Sequence, residues 1–211
     1  MDPTACFALL QERAKVSNTL ELPPPPPPAA SLDGLSVGEL ARQLLARQEE
    51  RVEVFRRFEE GFVRFLSVAE AEGYEALVAT ATGAFSSISE AVNAIGAALA
   101  ASGTAAGEQL AQRTRSLQEA EREKLTLTAQ LQIVRHGMAV DAHKAQAAEE
   151  AGNEVPARER RAAQLRAEEA EELSQRLVST TERITDTLDE IRSDLVDMDE
   201  EEQAEVGSET R

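Results

Sequence analysis

Residues 36–65 read SVGELARQLLARQEERVEVFRRFEEGFVRF, and this stretch decides the fold class. Ala41, Leu44, Gln48, Arg51, Phe55, Phe58, Phe62 and Phe65 follow one another at alternating steps of three and four. That spacing lays one stripe along an α-helix, whereas a half-buried strand would alternate every second residue. Ser36 offers an N-cap oxygen, and Glu39 three positions later completes a capping box for the first orphaned N–H groups. The spacing predicts a helix from Ser36 to about Ala71, with Ala69 the last member of the stripe and Gly73 the stop. Four of the six phenylalanines fall inside it, so its apolar face must be covered.

Two more stripes follow at the same period. One runs through Tyr74, Val78, Ala81, Phe85, Ile88, Val92, Ile95 and Leu99, and the small residues 102–107 interrupt it. The next holds Leu110, Arg113, Leu117, Ala120, Lys124, Leu127, Leu131 and Val134. Three amphipathic helices with short breaks are most economically an antiparallel three-helix bundle, residues 36–137. Composition agrees with an all-α chain. Aromatics are 3% with no Trp, too few to cover the pleated faces of a sandwich or barrel, while 29% of residues are charged.

Outside the bundle the reading is coarser. Residues 1–35 form an N-terminal arm, with a short amphipathic helix over 4–22 through Phe7, Leu10 and Ala14. Pro23–Pro28 then make a polyproline II rod, either a stiff spacer or a ligand for an aromatic groove. Residues 138–157 are an Ala-rich linker or an extension of the third helix, broken at Gly152 and Pro156. From 158 to 198 an acidic helix carries Leu177, Thr181, Ile184, Leu188, Ile191, Leu195 and Met198, a coiled-coil seam. The seam needs a cover: a second copy, giving a homodimer through 177–198, a partner helix, or the bundle itself. Residues 199–211 are expected to be a disordered acidic tail.

Charge narrows the function classes. Of the net −17, −12 falls on residues 138–211, which hold nine basic and twenty-one acidic side chains. Such a surface repels phosphate backbones, so direct high-affinity nucleic-acid binding is not expected, and partners should be basic or mixed protein surfaces. Cys6 is the single cysteine, which rules out an intramolecular disulfide and suits a reducing compartment. The start lacks a basic region and a long apolar stretch, and the apolar window Ala91–Ala101 contains Asn93 and Gly96. The expectation is a soluble intracellular chain, neither secreted nor membrane-bound.

Catalytic parts are missing from the sequence. No Gly-rich phosphate loop is present, and a nucleophile set would have to use Cys6, His136 or His143. His136, Asp141 and His143 invite a metal, but two histidines seven residues apart on a helix are separated by roughly 10 Å along its axis. One ion binding at about 2 Å cannot take both. No enzyme, cofactor, metal or small-molecule substrate is therefore expected. More informative are polar residues on or beside apolar seams: Gln48, Arg51, Glu121, Lys124 and Thr128. Buried, they must bond to one another, for instance Arg51 with Glu121, and so fix helix register; left open, they form a partner-docking strip. A second candidate contact is the tail, where Leu195, Val196 and Met198 sit among carboxylates.

Three blocks of residues carry a family resemblance. Gln48-Glu49-Glu50-Arg51 with Phe55 and Phe58-Glu59-Glu60-Gly61-Phe62 is the first. The second is Phe85-Ser86-Ser87-Ile88-Ser89. The third comprises Leu117-Gln118, Glu121, Glu123-Lys124-Leu125, Leu127-Thr128-Ala129 and Gln132. In this order they resemble the "required for excision 1-B" domain family over about residues 36–137. The resemblance implies a small helical nuclear protein without enzymatic activity, linked to excision repair of ultraviolet-damaged DNA and working through contacts with repair machinery. It does not reach the proline rod or the acidic C-terminal part. A structural coiled-coil adaptor of the cytoskeleton or cilium, in the cytoplasm, is the alternative that the C-terminal seam supports.

Overall fold

The computed structural model describes residues 31–67 and 74–209, and these form four helices and no strand: α1 Val37–Ser67, α2 Tyr74–Ala101, α3 Ala105–Glu150 and α4 Ala157–Glu209. The expectations for 1–30, including the 4–22 helix, the proline rod and Cys6, and for Ala69 and Gly73, lie outside the described residues. The chain is all-α. It divides into two compact units, one of Met1–Gln118 with Thr187–Arg211 and the other of Glu119–Asp186.

In the first unit α1 opens with the expected capping box. The Ser36 N–H donates to Glu39 Oε2 at 2.7 Å, and the Glu39 N–H donates to Ser36 Oγ at 3.2 Å. Those bonds, the backbone one foremost, hold the Glu39 carboxyl below its ordinary range. α1 and α2 pack antiparallel: Phe55 meets Phe85 with ring centroids 4.8 Å apart, and further along Phe65 stacks on Tyr74 at 4.6 Å. Gly61 allows the approach, since a Cβ there would lie 2.0 Å from Leu77 Cδ2. α2 buries Leu77, Ala81, Ala84, Phe85, Ile88, Val92, Ile95 and Leu99, the expected stripe with Leu77 and Ala84 added.

By length and composition α2 is apolar enough to cross a membrane, a property that a buried core helix shares. The stripe is nonetheless taken up in packing within this unit, as the core helix of a bundle requires. Ser102, Gly103 with φ +69°, and Thr104 turn the chain into α3, where the Gly107 N–H donates to Thr104 Oγ1 at 3.0 Å. The start of α3 then runs antiparallel to α2, with Thr114 against Gly96 and Gln118 against Ser89 and Asn93.

A further helix joins this antiparallel trio. The end of α4 belongs to the same unit, with Ile191 fully buried and Leu195 Cδ1 3.7 Å from where a Gly38 Cβ would stand. Of the three covers expected for the seam, it is the chain's own bundle that occupies it at this end. α4 is helical to Glu209, and Asp199 on it pairs with Arg42 of α1.

The second unit is a pair of antiparallel helical segments. Leu127, Leu131 and Val134 of α3 and Leu173 of α4 form its core, with Met138, Ala170 and Leu177 packed around them. Arg183 pairs with Glu123 at 2.9 Å, and Arg166 pairs with Asp141. Residues 138–150 extend the third helix, one of the two alternatives expected for 138–157, so Gly137 lies inside α3. Its missing side chain makes room for Arg166, whose Nε would be 3.1 Å from a Cβ there. The breaks at Gly152 and Pro156 are real: Gly152 takes φ +69° and Pro156 precedes α4. On α4 the buried line passes through Thr180, while Thr181, chosen for the seam, is exposed.

Candidate functional site

A polar layer crosses the core of the first unit. Arg51 on α1 is 1% exposed, an unusual place for a charge. Its Nη2 donates to Ser89 Oγ of α2 at 3.0 Å and to Gln118 Oε1 of α3 at 3.2 Å. Gln118 closes the layer by donating through Nε2 to the Ser89 carbonyl at 3.0 Å and to Asn93 Oδ1 at 3.1 Å. One arginine and one glutamine therefore tie three helices together. Removing a charge-bearing donor from such a layer leaves acceptors buried without partners, so the layer favours one register over its neighbours.

Gln48, one turn before Arg51, is 4% exposed, and neither end of its amide has a hydrogen-bond partner among the described residues. Thr114 is buried as well, but its hydroxyl is satisfied by the Leu110 carbonyl at 2.7 Å. In the second unit Glu121, Thr128 and Gln132 are buried on α3 and Lys124 is half-buried. The five seam residues read from sequence thus fall in both units, Gln48 and Arg51 in one, Glu121, Lys124 and Thr128 in the other. Sequence reasoning missed Ser89, Asn93 and Gln118 as bonding partners. Ser89 and Gln118 nevertheless stand in the second and third resemblance blocks, and Arg51 ends the opening string of the first. The hydrogen bonds bring those three blocks to one place.

The tail residues part company. Leu195 and Met198 are half-buried, while Val196 is 56% exposed. His136 and His143 both lie on α3; burial pushes the His136 imidazole below its ordinary value, toward the neutral form at pH 7. Asp141, considered beside them as a ligand, is engaged by Arg166. Among the described residues no three His, Cys, Asp or Glu side chains gather as a metal site would require.

What these features define is a helical domain whose first three helices are tied together by a buried polar layer. Residues 39–135 match the family described as DNA repair REX1-B, somewhat under half of the 211 residues. The likeness read from the sequence over about 36–137 is thereby found, and it takes in α1, α2 and most of α3. The family's description ties it to DNA repair. Neither the curated proteins nor the solved structures contain a match to this chain.

Proposed function

We propose that this protein is a non-enzymatic accessory factor in DNA repair, acting in the nucleus during nucleotide excision repair of ultraviolet-damaged DNA by contacting other repair proteins. The observation that carries the reading is the match of residues 39–135 to the DNA repair REX1-B family. The acidic balance of residues 138–211 fits protein partners with basic or mixed surfaces better than bare phosphate. Val196, exposed among carboxylates, is the part of the C-terminal candidate contact open to such a partner.

The test is photoproduct removal after ultraviolet exposure in cells lacking the gene, with and without the full chain restored. Delayed removal, corrected by the full chain, is the expected result. Normal removal without the gene overturns the repair reading. The paired helices of the second unit then favour the second reading, a structural adaptor that stays in cytoplasmic assemblies after irradiation.

A further inference from the structure

The end of α4 is held on the first unit by a specific set of charges. Asp194 pairs with Arg113 at 2.8 Å and accepts from Gln109 Nε2 at 3.4 Å; Glu190 stands 3.5 Å from Arg113 Nε, and Asp199 pairs with Arg42. Between these pairs Ile191 is fully buried, Leu195 lies beside Gly38, and Leu188 and Met198 are half-buried. The receiving face thus presents arginines from α1 and α3 on either side of apolar ground. The helix it receives has apolar residues at Ile191, Leu195 and Met198 and carboxylates one turn apart. Charge and shape both specify an acidic amphipathic helix.

That resident helix is weakly built. Residues 187–200 carry six carboxylates against Arg192 alone, so near neighbours along the helix repel. No basic residue follows Arg192 up to Glu209, although the carbonyl end of a helix dipole favours cations. Within 187–200 only Ile191 is fully buried, whereas α2 buries eight side chains. The Arg42 and Asp199 side chains remain 50% and 39% exposed, which leaves their pair open to screening. An element with few buried contacts and repelling charges opens at lower cost than the helices beneath it.

We propose that the face formed by the starts of α1 and α3 is a docking site for an acidic amphipathic helix of a partner protein, and that residues 187–200 are its resident, displaceable occupant. The receiving residues Arg42, Gln109 and Arg113 lie within the family-matched segment 39–135, and the covering helix lies outside it. The inference stands apart from the repair reading and survives its failure.

The experiment uses the full chain and a fluorescent peptide copying residues 187–200. In Asp194→Lys/Asp199→Lys the resident helix faces Arg113 and Arg42 with like charge, so peptide affinity should rise at least tenfold over the unaltered chain. Adding Arg42→Glu/Arg113→Glu to that variant restores the pairs with opposite sign and should abolish binding of the acidic peptide. An unchanged affinity, or formation of an exchanged dimer in place of peptide binding, overturns the proposal. If the lysine variant loses its helical signal, hydrogen exchange on the unaltered chain decides. Amides of 187–199 exchanging at least tenfold faster than those of α2 support displacement, and equal protection refutes it.

Discussion

Gln48 and Arg51 sit one turn apart on the same buried stripe and live under opposite conditions. Arg51 is bonded to two helices, while the Gln48 amide is desolvated with no bond returned. A buried polar group left unsatisfied costs about 1–3 kcal/mol. Gln48→Met, close in volume and apolar, should therefore leave denaturant stability unchanged or raise it by up to about that amount. Arg51→Met should lower it by about 1–3 kcal/mol, because Ser89 Oγ and Gln118 Oε1 lose their donor. A loss exceeding about 1 kcal/mol for Gln48→Met would mean the amide has a partner in solution.

Tyr74 gives a second test at this scale, since it is the one tyrosine and there is no Trp. Burial among Phe58, Phe62 and Phe65, and after it the Glu59 charge, pushes its phenol well above the usual 10.0. The unfolded chain releases this proton near pH 10 and the folded one holds it. The stability contribution is therefore whole below pH 10 and is lost as pH climbs from there toward the folded value. Phenolate absorbance should rise only with loss of helical signal. A rise near pH 10 with helices intact would show the ring to be open to water.

At the scale of elements two glycines set how closely helices approach. Gly61→Ala gains about 1 kcal/mol in helix propensity but drives a Cβ into Leu77, an overpacking cost of about 1–3 kcal/mol. The net loss should be about 0–2 kcal/mol, and it should shrink in a Leu77→Ala background, because the atom that clashes is gone. Gly107→Ala should cost more. Its Cβ would lie 2.6 Å from the Leu99 carbonyl, and backbone at a turn between helices cannot swing aside. Equal losses at the two sites in thermal melts would contradict this contrast. Gly137, inside α3, is an opening filled by Arg166 on the way to Asp141.

For the whole molecule the assignment of α4's end to the first unit changes what a minimal fragment should do. A chain of residues 36–137 contains every helix stripe of the expected bundle but lacks Ile191, Asp194 and Asp199. It should melt well below the full chain, and adding residues 138–209 should restore the difference; identical melting would show that the end of α4 contributes no net stability. The sequence by itself determined the helices and their apolar faces, because a 3.6-residue period, a capping box at Ser36 and Glu39, and the breaks near Gly103, Gly152 and Pro156 act over a few residues. It also brought the three family blocks into view, though not the hydrogen bonds from Arg51 to Ser89 and Gln118 that join them. Only the tertiary structure decided what covers each face. A stripe states that it must leave water, and carries no information about which of several suitable surfaces lies opposite. That choice rests on side chains far apart in the chain, such as Arg42 with Asp199 and Arg113 with Asp194, meeting at distances no local pattern encodes.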